Sequence, residues 1–197
     1  MKFKTIITAI TAIAALCLCA ANVGATSLDM SLNDDSLQAQ LFLPVTQDAY
    51  GTTQVGVRGL YNNDDETKLL SGEIDFLGKP GDIPGLTAGV GVILWGGEAG
   101  SGSDPADILS VGIGAKVGFE PPQLMGVGID GKFFYGPKIL TTGDSDRVFE
   151  GALRVSYAFI PKARCFVEYQ QIHVDLDDGG GDDNIDDDLR IGFEAKF

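Results

Sequence analysis

Residues 187–197 have the sequence Asp-Asp-Leu-Arg-Ile-Gly-Phe-Glu-Ala-Lys-Phe, and this stretch decides the fold. From Leu189 to Phe197 every odd-numbered residue is apolar, whereas Arg, Gly, Glu and Lys occupy the even-numbered positions. A period of two is typical of a β-strand with one apolar and one polar face. Such a strand suits a wall between lipid and an enclosed polar interior, which is the repeat of a transmembrane β-barrel.

The same stretch resembles the assembly signal of bacterial outer-membrane proteins. Arg190, Gly192, Ala195 and Phe197 form the pattern polar-x-Gly-x-x-apolar-x-Phe. The resemblance implies a Gram-negative cell envelope and an integral outer-membrane location. It also implies that periplasmic chaperones and the barrel-assembly machinery are partners, and that outer-membrane lipid and lipopolysaccharide surround the barrel.

The first 25 residues predict a cleaved secretory signal peptide. Residues 1–4 carry positive charge, residues 6–19 are apolar, and small residues precede Ala25. The apolar run is shorter than the ~20 residues that a spanning helix needs. We therefore expect export with cleavage after Ala25, with Ala20 or Ala21 as alternatives, and a single β-barrel domain over residues 26–197.

The charge and cysteine content of the remaining 172 residues exclude some functions. Removal of residues 1–25 takes away Lys2 and Lys4 but no acid, so 28 acidic and 12 basic residues leave a net charge of −16. Without a basic patch to neutralise phosphates, a nucleic-acid partner is not expected. Cys165 is the only cysteine after residue 25, so no disulfide can form within the mature chain.

Alternating segments, bounded by turn residues, recur along the mature chain. They cover residues 28–32, 37–43, 53–61, 70–76, 86–94, 109–119, 127–135, 149–159, 164–176 and 189–197. These segments predict an all-β, antiparallel transmembrane barrel of ten strands, with eight as the alternative if the first hairpin lies outside the wall. In residues 164–176 the apolar face changes after Tyr169, and a β-bulge near Gln170 and Gln171 would reconcile the two halves.

Acidic and proline-containing connections alternate between these segments. The odd-numbered connections hold 17 acids against Lys138 and Arg147, whereas the even-numbered ones are compact and contain proline. Outer-membrane barrels have short periplasmic turns and longer extracellular loops. We therefore expect the proline turns in the periplasm and the acidic loops outside the cell.

The polar faces of the segments predict what fills the barrel. Six bases and six acids lie opposite the apolar rows: Arg58, Glu73, Asp75, Lys116, Asp130, Lys132, Glu150, Arg154, Glu168, Arg190, Glu194 and Lys196. This balance predicts a salt-bridged and mostly filled lumen. Aromatic residues near the segment ends predict two interfacial girdles. The expected members are Tyr61, Trp95, Tyr135 and Phe149 at one rim, and Phe76, Phe119, Phe159 and Phe197 at the other.

The chain as a whole resembles the YfaZ-type family of small enterobacterial outer-membrane proteins, in its signal peptide, its acidic loops and its Arg190 to Phe197 ending. This resemblance implies an outer-membrane, porin-like fold. It implies no catalytic residue.

Two features are candidates for chemistry. His173 is the only histidine and stands two residues from Asp175 on the same strand face, so an acid–base pair is conceivable, although an interfacial histidine is favoured. Carboxylates after the ninth segment are a weak candidate for binding a divalent cation that bridges to lipopolysaccharide, against a solvated loop. They are Asp177, Asp178, Asp182, Asp183, Asp186, Asp187 and Asp188.

Three functional classes follow from these observations. The favoured one is an outer-membrane barrel with a structural or surface-interaction role, without catalytic residue, metal or cofactor. The second is a narrow porin-like channel for small solutes, and the third is a lipid-modifying or proteolytic enzyme centred on His173. A soluble periplasmic barrel is the alternative fold, and it would turn the apolar faces inward.

Overall fold

The computed structural model describes residues 26–48, 50–63, 67–99, 106–143, 145–176 and 182–197. The expected signal peptide, residues 1–25, lies outside this part of the chain. The strands are β1 (Ser27–Leu32), β2 (Ser36–Gln47), β3 (Gly51–Asn62), β4 (Lys68–Gly78), β5 (Leu86–Ala99), β6 (Ala106–Phe119), β7 (Val127–Gly136), β8 (Thr141–Gly143), β9 (Ser145–Ile160), β10 (Ala163–Leu176) and β11 (Asp182–Lys196). Two short 3-10 helices cover Pro122–Leu124 and Lys138–Leu140.

The strands form one closed antiparallel barrel. The strands β1 to β7 pair in chain order, β7 pairs with β9 past the short β8, and β9, β10 and β11 again pair in order. The barrel closes where β1 pairs with β11, with Ser27 opposite Lys196. The wall has ten strands. The short β8 does not count as an eleventh, because it takes the place of β7 beside β6 where β7 has ended. The first hairpin belongs to the wall, since β1 pairs with β2 and with β11. The structure thus confirms the ten-stranded transmembrane β-barrel.

In the closing strand the outward face is hydrocarbon and the inward face is polar, as residues 189–197 predict. In β11, Leu189 is 63% exposed and Ile191 is 65% exposed, whereas Arg190 between them is fully buried. A slip of one residue would place Arg190 against lipid, at about 2 to 4 kcal/mol at the bilayer midplane. The soluble alternative, with apolar side chains turned inward along this strand, does not fit the arrangement. No helix among the described residues is both long and apolar enough to span a membrane.

The two ends of the barrel differ. We call one the turn end, because β2–β3, β4–β5, β6–β7 and β9–β10 are joined there by short connections. At this end Gly85 has a positive φ of 85°, and a Cβ there would lie 2.2 Å from the carbonyl oxygen of Glu120. We call the opposite end the loop end, which carries the acidic connections predicted from the sequence.

Two local predictions are wrong. Trp95 does not join an interfacial girdle, because its side chain is fully buried inside the barrel. No bulge at Gln170 and Gln171 turns the following apolar residues outward: inward burial continues in β10 through Ile172 and Val174, both at 0% exposure. The register shift in this hairpin lies between Ile172 and His173. It leaves Ile185 of β11 as the extra residue, so the irregularity falls on the partner strand.

Candidate functional site

The lumen is the candidate site, and its loop end is closed by apolar side chains. Inward-facing residues near the loop end of the strands form one buried cluster, which we call the apolar plug. It consists of Leu60, Leu69, Ile93, Trp95, Ile108, Phe134, Val148, Ile172, Val174 and Ile185. Each of these side chains is at most 3% exposed. The plug therefore leaves water little access to this half of the lumen.

Glycines on neighbouring strands make room for the two largest members of the plug. A Cβ on Gly112 would lie 2.4 Å from the Trp95 ring, and a Cβ on Gly114 would lie 2.4 Å from the Phe134 ring. Both glycines belong to β6, so the absence of side chains there lets the aromatic rings fill the barrel. This complementarity explains why a narrow barrel can hold an indole ring.

An ion-pair belt lies next to the plug and consists of Arg58, Glu73, Asp75, Lys116, Lys132 and Glu150. Glu150 accepts two hydrogen bonds from the Arg58 guanidinium, at 2.5 and 2.6 Å. It also contacts Lys132 at 2.6 Å and accepts a hydrogen bond from the Trp95 indole at 2.8 Å. Arg58 and Glu150 are 1% and 0% exposed, so this pair is removed from water. Its charges are compensated by each other, as buried charges require.

Lys116 joins the remaining acids of the belt. Lys116 contacts Glu73 at 3.0 Å and Asp75 at 2.7 Å. The carboxylate of Glu73 also accepts a hydrogen bond from Gln40 at 2.7 Å. These bonds join β2, β4 and β6 across the lumen, so the belt ties together strands that are not neighbours in the sheet.

A second buried network seals the side of the lumen formed by β1, β2, β10 and β11. Arg190 binds the Asp186 carboxylate through two nitrogens at 2.7 and 3.0 Å, and both side chains are fully buried. Asp186 also accepts a hydrogen bond from Gln170 at 2.7 Å, and Gln170 reaches Gln38 at 3.1 Å. The loop-end half of the lumen is thus closed by an apolar plug on one side and by this polar network on the other.

Toward the turn end, Arg154 organises a further cluster. Its guanidinium contacts Asp29 at 2.6 Å and Glu168 at 2.8 Å, which joins β9 to β1 and to β10. It also lies over the ring of Phe166, 3.7 Å from the ring centroid. The ring in turn lies against Gly192, where a Cβ would meet it at 2.2 Å.

The turn end of the lumen is open. A cavity of about 430 Å³, which we call the vestibule, lies between the ion-pair belt and the turn end. Its wall includes five bases and five acids: Asp29, Lys116, Glu120, Asp130, Lys132, Arg154, Arg164, Glu168, Glu194 and Lys196. The prediction of a mostly filled lumen therefore holds for the loop-end half, whereas the turn-end half is a blind chamber.

The charges of the belt and vestibule differ from the balance predicted from the sequence. The structure adds Asp29, Glu120 and Arg164 to the inward set. The belt adds the acids Glu73, Asp75 and Glu150 and the base Arg58 to the charged residues of the vestibule wall. Together the belt and the vestibule therefore hold eight acids and six bases. The alternation in β1 around Asp29 could have revealed that residue, whereas Glu120 and Arg164 lie next to turns, where the period of two gives no direction.

Each base of this combined set has an acidic partner. Arg164 contacts Glu120 at 3.1 Å and Glu194 at 3.3 Å, and Lys196 contacts Glu194 at 3.2 Å. Asp130 is different. It stands directly across from Arg154 in the β7–β9 pairing, but that guanidinium is turned toward Asp29 and Glu168. Among the described residues, Asp130 makes no hydrogen bond or ion pair.

The structure places the residues of the predicted assembly signal in or directly after the closing strand. Arg190 belongs to the buried network with Asp186, and Gly192 makes room for Phe166. Ala195 faces outward and lies opposite Leu28 of β1. The backbone nitrogen of Phe197 donates a hydrogen bond to the carbonyl oxygen of Thr26 at 2.9 Å. Their role in recognition by the assembly machinery stays a prediction.

The other two candidates lie at the loop end. His173 contacts Asp175 at 3.1 Å, and Arg147 contacts the same carboxylate at 2.7 Å, so the His–Asp pair of the sequence forms and includes a third residue. These residues lie at the loop-end ends of β9 and β10, and the inward neighbour Val174 belongs to the plug. The pair is therefore on the opposite face of β10 from the lumen.

The predicted cation-binding carboxylates do not gather into one site within the described part of the chain. Asp177 and Asp178 lie outside it, and for Asp182 and Asp183 only the backbone, in β11, is described. Asp186 is engaged by Arg190. Asp187 accepts a hydrogen bond from Tyr169 at 2.5 Å, and Asp188 accepts one from Asn33 at 3.0 Å. No group of three or more His, Cys, Asp or Glu side chains is arranged for a metal ion among the residues described.

Solved structures similar to this chain include outer-membrane porins and channels. KdgM porin, in a complex with disordered oligogalacturonate, shares 12% sequence identity with a TM-score of 0.43, over 88% of this chain and 99% of that chain. The outer-membrane channel DcaP of Acinetobacter baumannii shares 12% identity with a TM-score of 0.47, over 86% of this chain and 54% of that chain. No curated protein has a matching sequence.

The family model described as YfaZ precursor matches residues 5–197, almost the whole sequence. This match confirms the resemblance drawn from the signal peptide, the acidic loops and the closing strand. Together with the outward-facing apolar side chains and the closed barrel, it identifies the chain as an outer-membrane β-barrel protein that belongs to the YfaZ family.

Proposed function

We propose that this protein has a structural or surface-interaction role in the outer membrane and does not conduct solutes through its lumen. The observation that supports this proposal is the closed loop-end half of the barrel. The plug residues are at most 3% exposed, and the adjoining Arg58–Glu150 pair is removed from water. A ten-stranded wall encloses little space, and here large side chains occupy half of it.

Opening a path would require the plug and the belt to separate together. The Trp95 indole donates to Glu150, which also binds Arg58 and Lys132, so moving the indole breaks a contact to a buried carboxylate. A hydrogen bond to a charged group contributes about 1.5 to 3 kcal/mol, and the indole would also lose its apolar contacts in the plug. An opening of that cost is rare at equilibrium, which favours a closed barrel over the alternative of a narrow porin-like channel for small solutes.

Planar-bilayer recording of the purified protein tests this proposal. We expect no reproducible open steps from the native protein. A variant with Trp95→Ala and Phe134→Ala, which removes the two largest plug rings, is the positive control and is expected to conduct. Reproducible open steps from the native protein would refute the structural role and favour the channel.

The loop end supports the surface-interaction part of the proposal. Since outer-membrane barrels have short periplasmic turns, the turn end faces the periplasm and the acidic loop end faces outward. We propose that this end meets lipopolysaccharide, with divalent cations bridging carboxylates such as Asp187 and Asp188 to its phosphates. Chelation of divalent cations is then expected to release lipopolysaccharide that co-purifies with the native protein. Unchanged co-purification after chelation would contradict the bridging.

We also propose that export removes residues 1–25 and that periplasmic chaperones and the barrel-assembly machinery insert the chain. The charged start, the apolar run and the small residues before Ala25 support this proposal. Intact-mass measurement of the protein from outer membranes should give a chain that begins at Thr26. A mass that retains the first residues would contradict cleavage.

An enzymatic role is not proposed. The His173–Asp175 pair also binds Arg147, and it lies on the face of β10 opposite the lumen. Lipid A composition and peptide turnover are expected to be unchanged in cells that lack the protein. A change in either that the His173→Ala variant fails to restore would support the lipid-modifying or proteolytic alternative.

A further inference from the structure

We propose that the vestibule binds a small organic cation with several amine groups, of the polyamine class, which enters from the turn end. This inference goes beyond the structural role, because a barrel closed at its loop end can still hold a ligand in a chamber open at the other end.

The vestibule has the shape of a ligand site. Its volume of about 430 Å³ lies within the range of about 300 to 1,000 Å³ that is typical of small-molecule pockets. The ion-pair belt forms its floor, and the short turns surround its mouth. A solute can therefore enter and leave on one side only, and it meets a wall that strands on every side of the barrel contribute.

The contacts that the charged side chains already make, rather than an excess of one charge on the vestibule wall, favour a cation. Belt and vestibule together hold eight acids and six bases, and each of those bases already contacts an acid. An anion that binds one of these bases would lie beside the carboxylate that the base already contacts, and the two negative charges would repel each other. A cation can bind Asp130, which makes no hydrogen bond or ion pair among the described residues, and Glu120, whose side chain is 43% exposed at the mouth.

The distribution of the acids favours an extended organic cation over a metal ion. No three acids are gathered around one point among the described residues. Asp130 lies on β7, Glu120 at the mouth after β6, and Glu194 on β11, so the carboxylates are spread around the chamber. An extended chain of ammonium groups can reach such separated partners, whereas a metal ion needs converging oxygen ligands.

The uncharged part of the wall suits the hydrocarbon and amine groups of such a ligand. Phe42 faces the chamber, and its ring already accepts a cation, with the Lys116 ammonium 4.9 Å from the ring centroid. Gln47, Thr52 and Ser27 add hydrogen-bond acceptors near the mouth. The vestibule thus combines acceptors and an aromatic face, which are the groups that recognise alkyl ammonium ions.

Isothermal titration calorimetry of the full mature protein in a zwitterionic detergent tests the proposal, with spermidine as the probe. We expect saturable binding to one site that weakens as sodium chloride is raised, because the attraction is between charges. Asp130→Asn is expected to weaken binding at least about tenfold, since a charge-assisted contact is lost. Citrate, an anion, is expected to give no saturable heat.

Asp34→Asn is the matched control, because it removes the same charge from the exposed β1–β2 connection at the loop end and should leave spermidine affinity for the vestibule unchanged. Heat-modifiable gel mobility establishes that each variant is folded. The proposal is overturned if spermidine gives no saturable heat, or if citrate binds as tightly as spermidine. It is equally overturned if Asp130→Asn binds like the native protein, or if the affinity does not respond to salt.

Discussion

Glu150→Gln removes a negative charge that Arg58, Lys132 and the Trp95 indole share inside the barrel. In the native protein this carboxylate receives two hydrogen bonds from Arg58, one from the Trp95 indole and one from Lys132. The substitution keeps the size of the side chain but replaces an acceptor oxygen by an amide nitrogen. That nitrogen would face other donors, and the guanidinium would keep its charge without its partner.

The structure sets the size of the expected effect. Arg58 is 1% exposed and cannot turn to water, so the cost is that of a buried ion pair with one partner removed, about 3 to 5 kcal/mol in the free energy of unfolding. Lys132 is 14% exposed and borders the vestibule, so it can be solvated and adds little. Replacing Arg58 by Gln in the same chain is expected to restore part of the stability, because no unpaired buried guanidinium then remains.

Urea-induced unfolding in phospholipid vesicles, followed by heat-modifiable gel mobility, measures this difference. Glu120→Gln is the control, since it neutralises a carboxylate that is 43% exposed and should cost about 0 to 1 kcal/mol. If Glu150→Gln lowers the free energy of unfolding by no more than this control does, the assignment of Arg58 and Glu150 as a buried, mutually compensated pair is refuted.

Three further predictions concern the wall. Ile191→Arg should lower the free energy of unfolding in vesicles by about 2 to 4 kcal/mol, whereas Leu124→Arg in a turn should have little effect; equal effects would contradict the lipid-facing assignment. Gly192→Ala should lower the unfolding midpoint in urea, because its Cβ meets a ring at 2.2 Å, whereas Gly59→Ala, with no atom within 4 Å, should not. Fluorescence of Trp95, the only tryptophan, should resist quenching by acrylamide and by brominated acyl chains until urea unfolds the protein; quenching in the folded state would contradict its burial.

The wall of the barrel could be predicted from the sequence, because side chains that face lipid must be apolar and therefore recur at every second residue of a strand. In the closing strand, Leu189, Ile191 and Phe193 alternate with polar or small residues, and the structure places them outward. The lengths and charges of the connections predicted which end of the barrel carries the short turns and which end carries the acidic loops. The number of strands could be predicted because each alternating segment, with a short turn at one end and an acidic loop at the other, must cross the whole membrane.

The interior of the loop-end half could not be predicted in the same way. In Val92-Ile93-Leu94-Trp95 both faces are apolar, so the alternation that separates lumen from lipid disappears. The place of Trp95 near a segment end predicts a girdle residue, whereas its position, three residues after the outward-facing Val92, places it inward with Ile93. The apolar run itself was the available signal: hydrocarbon on both faces of a barrel strand indicates a plug.

The partners of the inward charges were equally out of reach, although most of the charges were identified. Arg58 and Glu150 are 92 residues apart and lie on strands that do not pair, so no local pattern connects them. Only the closure of the barrel brings β3 opposite β9. The same holds for Asp130, whose lack of a partner depends on the direction in which Arg154 turns.

The contact between Gly192 and Phe166 has a consequence for experiments on biogenesis. A variant at Gly192 that fails to reach the membrane would not separate poor recognition by the insertion apparatus from a steric collision inside the finished product, because this position belongs to the predicted assembly signal and also borders Phe166. Shortening Phe166 first would remove the obstacle. Only in that background does a substitution at Gly192 report on delivery alone.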